Sequence, residues 1–195
     1  MLDVNLPVET VCYNVTEALG SGLEVREYTH NATAAVYNIG AAVTVYQEAQ
    51  NIGAYCVLGY FVGYTNAKNE SLVNARTVPL TLRTNTGAHP GWVGSMVVAP
   101  SLYPTRKDLP TPTYGVELAF VPDAGSRYIA SLRKQFQESP QLEDFEAVCS
   151  QLEARLTKAG VKINKESATT PTHAYYWSRF WTGPWDFECW VAVYP

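Results

Sequence analysis

The sequence predicts an α+β fold in which an antiparallel sheet curls into a distorted β-barrel flanked by two long α-helices. Two segments, 47–62 and 140–160, have the residue spacing or the capping residues of helices, and the segments around them alternate like strands. The elements run strand, strand, helix, strand, then strand, strand, strand, helix, strand, strand, which is an internal pseudo-duplication. The 195 residues suffice for the core of a single domain, which we expect to span residues 1–195.

The first predicted helix covers residues 47–62. Five of its residues recur at intervals of three or four and therefore share one face: Ile52, Tyr55, Cys56, Gly59 and Tyr60. A polar loop, 63–69, ends the helix, and a strand is predicted over residues 72–82. Pro79 lies inside this strand and has no N–H to donate, so it predicts an edge or a β-bulge there.

The second predicted helix has stronger end signals. Ser139 is a good N-cap, Pro140 suits the first helical position, and Gly160 is placed to end the helix. Its predicted buried stripe has helical spacing and consists of Leu142, Phe145, Cys149, Leu152 and Leu156.

The remaining strands are predicted from alternating patterns between turn residues. They cover residues 11–15, 23–28, 33–39, 92–98, 114–121, 127–134, 175–177 and 187–194. In segment 23–28, Leu23, Val25 and Glu27 fall on one face, which makes Glu27 a possible polar partner for a ligand or a catalytic acid–base group.

The composition excludes some classes of function. Hydrophobic residues make up 47% and charged residues 16% of the chain, which is ordinary for a globular protein. The net charge is −4 and no Lys/Arg cluster is present, so we expect no nucleic-acid partner. No apolar run reaches about 18 residues, so we expect no transmembrane helix. The 13 Tyr and 5 Trp suit strands and apolar pockets with a polar tip.

Sequons and cysteines favour an extracellular location. Asn14, Asn31 and Asn69 each begin an N-x-Ser/Thr sequence, and we predict glycosylation at all three. Four cysteines, Cys12, Cys56, Cys149 and Cys189, allow three disulfide pairings, although Cys56 and Cys149 also suit buried apolar positions. No Cys/His spacing indicates a metal site. Because residues 1–5 do not read as a signal peptide, a cytoplasmic location is the alternative to secretion.

Five segments occur in the order found in the SOUL heme-binding family, which this chain resembles. The helix ends in Tyr60-x-x-Gly63-x-x-Asn66, and the next strand contains Thr77-x-Pro79-Leu80. The other similar segments are the strand 23–28, the proline-punctuated connection 95–116, the loop 176–184 and the strand 187–191. The resemblance covers residues 12–194 and implies a distorted barrel flanked by two helices.

The resemblance also implies an apolar groove that holds a tetrapyrrole. Its walls would be the first helix and the loop before the last strand, with the ligand-binding residues Ile52, Tyr55, Cys56, Gly59, Tyr60, Phe180, Trp181 and Trp185. Heme or another tetrapyrrole is therefore the expected cofactor, and a small hydrophobic ligand is the expected partner.

The chain departs from the family where some relatives meet the heme propionates with basic side chains. Its matching residues are Ile52, Tyr60 and Trp181, which carry no charge, and Glu27 stands where another relative has a histidine proposed to bind iron. Unpaired propionates against an apolar wall would be costly, so the groove can have kept its shape while the ligand changed.

Three functions stay open from the sequence. The first is a carrier of heme or another flat hydrophobic ligand, and the second is a structural or interaction protein whose interior is filled. The third is an enzyme that uses Glu27 and a nearby tyrosine as acid and base. No nucleotide-binding or hydrolase motif is present, and His30, His89 and His173 are expected to be solvated loop residues.

Overall fold

The computed structural model describes residues 9–10, 12–28, 32–40, 42–85, 91–121, 127–138, 140–165, 171–176 and 184–195. Its helices are α1 (Tyr46–Val62) and α2 (Leu142–Ala159), with short 3₁₀ turns at Val73–Ala75 and Arg106–Asp108. Its strands are β1 (Glu9–Thr10), β2 (Asn14–Ala18), β3 (Leu23–Glu27), β4 (Ala32–Gly40), β5 (Arg76–Asn85), β6 (Gly91–Val98), β7 (Val116–Val121), β8 (Tyr128–Phe136), β9 (Thr172–Tyr176) and β10 (Trp185–Ala192).

The predicted α+β class, with antiparallel strands and two long helices, is confirmed. The chain divides into two compact units: the first contains Met1–Val11 and Ala32–Val121, and the second contains Cys12–Asn31 and Pro122–Pro195. The single domain over residues 1–195 stays a prediction. In the described part of the chain, no helix is both long enough and apolar enough to cross a membrane.

The sheet of the first unit has the antiparallel strand order β5-β6-β4-β7, and β1 adds to β5 in parallel. The pairing of β5 with β6 shifts register between Arg76 and Leu80. Pro79 lies within this shift, so the predicted irregularity at the proline is confirmed.

Helix α1 approaches this sheet through two glycines. A Cβ at Gly94 of β6 would lie 3.0 Å from the Gly53 Cα, so the backbones of helix and strand are in direct contact. The buried face of the helix contains Ala49, Gly53 and Val57. Small residues here allow a close approach, and the helix ends in the left-handed Gly63 (φ 98°), whose N–H donates to the Gly59 carbonyl.

The sheet of the second unit has the antiparallel order β2-β3-β8-β10-β9. Helix α2 packs on it through Phe145, Leu152 and Leu156, and a disulfide joins Cys149 of the helix to Cys189 of β10. Of the disulfides that the sequence allows, the structure forms this one. Cys149 is thus a disulfide cysteine rather than a free apolar one, whereas Cys12 and Cys56 are free.

Helix α2 begins later than predicted. Gln141 is the N-cap, and its side chain and that of Asp144 form a reciprocal capping box. Pro140 precedes the helix, so its expected place at the first helical position is wrong, and Ser139 lies outside the described residues. The predicted end is confirmed, since Gly160 is left-handed (φ 77°) and donates to carbonyls of the last turn.

The two units share one connectivity. In the first, β4 is followed by α1, β5 and β6, and β6 pairs with both β4 and β5. In the second, β8 is followed by α2, β9 and β10, and β10 pairs with both β8 and β9. A fourth strand comes from a different place in the chain in each unit. In the first unit β7 follows β6 along the chain and pairs with β4, whereas in the second unit β3 precedes β8 and pairs with it.

Candidate functional site

Two opposite and buried charges, Arg26 of β3 and Glu188 of β10, lie in the second unit's sheet. Cys189 of β10 faces α2, to which its disulfide runs, so the adjacent Glu188 and Trp190 face the other side of the sheet. Arg26 of β3 reaches Glu188 on that same side. The Arg26 and Glu188 residues are only 5% and 2% exposed. We call Arg26, Glu188, Tyr176 and Trp190 the polar cluster.

Every contact in the polar cluster converges on the Glu188 carboxylate. Arg26 donates two hydrogen bonds to it from its two terminal guanidinium nitrogens, at 2.7 Å to Oε2 and 2.9 Å to Oε1. The Tyr176 hydroxyl donates to Oε2 at 2.9 Å, and the Trp190 indole N–H donates to Oε2 at 2.7 Å. The Nε–H of Arg26 donates to Glu24 at 3.0 Å. This paired, bidentate geometry is the strong form of a charged hydrogen bond.

The pKa values follow from burial and pairing together. Burial alone would raise the pKa of Glu188, but hydrogen bonds and charge from Arg26, with the bonds from Trp190 and Tyr176, lower it below its usual value. Burial alone would lower the pKa of Arg26, and the bonds and charge of Glu188 raise it instead. Glu188 is therefore an ionised hydrogen-bond acceptor and a poor proton donor.

Aromatic rings border the ion pair. The Tyr13 ring lies over the Arg26 guanidinium, with 4.3 Å between the ring centroid and Cζ. Tyr28 contacts both the Tyr13 ring, at 5.5 Å between centroids, and the Trp190 ring, at 6.3 Å. Tyr13 is 37% exposed, and Trp190 and Tyr176 are half-buried. These partly exposed rings offer stacking surfaces beside a fixed polar floor.

Ser131 of β8 lies in the same layer of side chains. Register places it between Glu24 of β3 and Trp190 of β10, and residues paired in this way point to the same side of a sheet. The residue is fully buried, and its hydroxyl has no hydrogen-bond partner among the described residues. A small side chain here leaves room for the long Arg26 side chain to reach Glu188 across β8.

The helix residues predicted to line a groove do not share one environment. Tyr55 is 77% exposed, and Ile52 is half-buried. The Cys56 thiol is hydrogen-bonded to Tyr37 of β4, and burial raises the pKa of this thiol. Gly59 is buried with the Thr65 side chain 3.2 Å from where its Cβ would be, so a larger residue would crowd that side chain.

Tyr60 is the most enclosed of the predicted helix residues. It is fully buried, and its hydroxyl donates to the Pro110 carbonyl at 2.8 Å. Phe180 and Trp181 lie outside the described residues, so their part in the site stays a prediction. Trp185 is half-buried on β10 and, by alternation, lies on the same side as Cys189, away from the polar cluster.

The Glu27 carboxylate contacts one tyrosine and one arginine. Its Oε1 accepts a 3.2 Å hydrogen bond from the Tyr128 hydroxyl and lies 3.4 Å from Nε of Arg127. Its side chain is 23% exposed. The structure therefore joins the predicted carboxylate to a nearby tyrosine.

Two of the predicted glycosylation sites are accessible. Asn14 is exposed on β2, and Asn69 is exposed in a turn at φ 50°. Asn31 lies outside the described residues. Occupancy at all three stays a prediction.

The expectation for His173 is wrong. It is a buried residue of β9 in contact with Phe145 and Phe187, with 5.9 and 5.6 Å between ring centroids. Burial lowers the pKa of His173 to about 4. The described residues hold no group of three His, Cys, Asp or Glu side chains that could bind a metal ion.

Sequence reasoning did not assign a role to Arg26 or Glu188. The sequence carried little signal for them, because β3 also contains Glu24 and Glu27 and β10 also contains Asp186. A charge beside a buried apolar residue in such a strand is read as the solvent-facing side of the alternation. The sequence does not say that these two strands come within one side chain's reach, because β8 lies between them.

Comparison with known proteins identifies the fold but no family. No family model and no curated protein match the chain. A hydrolase from Listeria innocua has a similar structure, with a TM-score of 0.51 and 10% identity over 89% of this chain and 92% of that one. An uncharacterized conserved protein from Listeria innocua is similar with a TM-score of 0.51 and 9% identity, over 89% of this chain and 93% of that one.

Proposed function

We propose that this protein binds a flat hydrophobic small molecule against the polar cluster of its second unit. The observation that carries the proposal is a buried, bidentate Arg26–Glu188 ion pair bordered by partly exposed aromatic rings. Replacing a buried pair with apolar residues is often neutral or stabilising, so stability alone does not favour it. A pre-organised polar floor with stacking surfaces is typical of small-molecule sites.

The charges favour a neutral or cationic ligand over heme. Around the polar cluster, two cations, Arg26 and Arg133, face three carboxylates, Glu24, Asp186 and Glu188. Arg26 pairs with Glu188, and Arg133 lies 3.2 Å from Asp186, so both are engaged by protein carboxylates. Two heme propionates would have to compete for these cations. A neutral or cationic flat ligand therefore fits the polar cluster better than heme does.

The apolar groove that the resemblance to SOUL proteins implies, with Tyr55 and Trp181 among its ligand-binding residues, is a separate proposal. The closed barrel, secretion and glycosylation are likewise proposals. The Cys149–Cys189 disulfide and the accessible sequons at Asn14 and Asn69 support an oxidising compartment.

Ligand titrations test the proposal. Hemin, pyrenemethanol as a neutral polycycle and proflavine as a cationic one are titrated while tryptophan fluorescence and ligand absorbance are followed. We expect the neutral and cationic probes to quench tryptophan fluorescence, and Trp190→Phe to reduce that quenching. Tyr176→Phe should weaken binding through the loss of one hydrogen bond to Glu188, whereas Tyr114→Phe, at an exposed position of the first unit, is the control.

Two outcomes would count against this function. If none of the probes binds, or if Trp190→Phe and Tyr176→Phe bind as the parent does, the polar cluster is a structural element. If hemin alone binds and gives a Soret band, the preference for a neutral or cationic ligand is wrong.

An enzyme is the second candidate, because the Tyr128 hydroxyl donates to the Glu27 carboxylate at 3.2 Å. The similar Listeria innocua structure described above is named a hydrolase, and at 10% identity it supports the fold alone. Hydrolysis of a panel of p-nitrophenyl esters tests this candidate. Turnover that is equal in the parent and in Glu27→Gln would remove Glu27 from the reaction.

A further inference from the structure

An open surface cleft of about 540 Å³, called the cavity below, lies in the second unit, away from the polar cluster. It is bounded by strands β2, β3 and β8, by the chain after α2 and by the last residues, and its described lining includes Thr16, Glu17, Val25, Tyr128, Lys162 and Tyr194. Val25 alternates with Arg26 along β3, so it lies on the opposite side of the sheet from the ion pair. The volume is within the range of small-molecule sites.

A β-bulge directs Glu17 toward this cavity. In the pairing of β2 with β3, Val15 lies opposite Arg26, but Glu17 rather than Thr16 lies opposite Val25. The extra residue brings Glu17 to the side of the sheet on which Val25 lies. The bulge is held by the Thr16 hydroxyl, which donates to the Val25 carbonyl at 3.2 Å.

The opposite wall is fixed by the chain that follows α2. Ile163 forms an isolated antiparallel bridge with Val193, and the Tyr194 N–H donates to the Lys162 carbonyl at 3.0 Å. Lys162 and Tyr194 are therefore neighbours across this bridge. A second hydrogen bond, from the Val193 N–H to the Tyr128 carbonyl at 2.9 Å, ties the wall to β8.

The lining thus combines one acid, one base and an apolar body. Glu17 and Lys162 are the charged residues in the described lining, and Val25, Val161, Tyr128 and Tyr194 supply apolar surface. Two further charges adjoin the lining residue Tyr128: Glu27, which accepts a hydrogen bond from its hydroxyl, and Arg127, and these two lie 3.4 Å apart as a pair of their own. A ligand with both an ammonium and a carboxylate would complement the acid and the base together.

We propose that this cavity binds a zwitterion with a large apolar side chain, a free amino acid of the phenylalanine or leucine type. Glu17 accepts hydrogen bonds from its ammonium, Lys162 donates to its carboxylate, and the two tyrosine rings pack against its side chain. This site is independent of the ligand proposed for the polar cluster, and either can exist without the other.

Isothermal titration calorimetry with three related probes tests the inference. L-phenylalanine is the zwitterion, L-phenylalaninamide lacks the carboxylate, and N-acetyl-L-phenylalanine lacks the ammonium. We expect L-phenylalanine to bind about fivefold more tightly than either analogue, which is the ratio for about 1 kcal/mol from an exposed ion pair. Glu17→Gln should bind the N-acetyl compound as well as the zwitterion, and Lys162→Gln should do the same with the amide.

Matched controls separate the cavity from general charge effects. Glu153→Gln and Lys158→Gln change the same charges at exposed positions of α2 outside the cavity lining. Glu17 and Lys162 are also exposed, so these variants should unfold at the parent's midpoint. The proposal is overturned if L-phenylalanine shows no binding, if the three probes bind equally, or if the control variants weaken binding as much as Glu17→Gln and Lys162→Gln.

Discussion

The substitution Glu188→Gln hardly changes the shape of the side chain, but it should lower the free energy of unfolding by a large amount. Glutamine occupies the same volume but brings no negative charge, and its amide places N–H donors near the Arg26 guanidinium. Arg26 is 5% exposed, so the variant leaves a buried cation without its buried counter-ion and with only the partly exposed Glu24 as a partner. Removing one partner of a buried pair costs about 3–5 kcal/mol, and we expect the free energy of unfolding to fall by that amount.

Urea unfolding at pH 7 measures this loss, and Glu24→Gln is the matched control. Glu24 also pairs with Arg26, at 3.0 Å, but its side chain is 36% exposed and water can replace it. The control should therefore lose less than about 1 kcal/mol. Equal losses in the two variants would show that burial of Glu188 adds nothing to its interaction with Arg26, which would refute the reasoning.

The double variant Arg26→Met/Glu188→Leu removes both buried charges together. Because neither charge is then buried, we expect most of the stability lost in Glu188→Gln to return. The double variant should nevertheless bind no ligand at the polar cluster. A double variant as unstable as Glu188→Gln would mean that the pair is needed for folding rather than for binding.

The lowered pKa of Glu188 predicts that the free energy of unfolding depends on pH, which the same variants test. The pKa of Glu188 is lower in the folded protein than in the unfolded chain, so the unfolded state binds its proton first as the pH falls. The stabilisation is complete above the unfolded pKa of about 4.3 and is lost as the pH drops through the lower folded value. Acid titration of stability should show this component in the parent and not in the double variant.

Three further predictions concern the framework. With the pKa of His173 lowered to about 4 from an unfolded value of about 6.5, stability should fall by about 3 kcal/mol between pH 6.5 and 4, and His173→Phe should abolish that part of the urea-unfolding pH profile. Reducing the Cys149–Cys189 disulfide, which closes a separation of 40 residues, should cost about 4 kcal/mol, detected as a lower urea midpoint with dithiothreitol that Cys149→Ser/Cys189→Ser reproduces. Gly94→Ala should lower the thermal midpoint more than Gly53→Ala, because its methyl meets helix backbone at 3.0 Å, whereas the other first meets a side chain at 3.2 Å.

Most of the fold could be predicted because its signals are local. The end of α1 at Val62 follows from the glycine after it, and the irregularity near Pro79 follows from a missing N–H. The predicted start of α2 was wrong because Pro140 also suits a position just before a helix. The capping box formed by Gln141 and Asp144 sets the start instead. Strand order within each sheet carries no comparable local signal.

The candidate site was harder to predict because its residues are distant in sequence and close in space. Arg26 and Glu188 are 162 positions apart, and their contact depends on β8 lying between β3 and β10. Glu27 drew attention by standing among apolar residues, yet the neighbouring Arg26 on the opposite side of the strand holds the ion pair. Periodicity identifies the two sides of a strand without saying which side carries the site.

The shared connectivity of the two units lets their equivalent positions be compared. In each unit one strand that pairs with two neighbours also contacts the helix: β6 through Gly94 against Gly53, and β10 through the disulfide of Cys189 with Cys149. The residue before each contact faces away from the helix, and it is the buried Val93 in the first unit but Glu188 in the second. The same backbone position therefore serves packing in one copy and charge in the other. Changes at Val93 should alter stability without altering the ligand preference that we assign to Glu188.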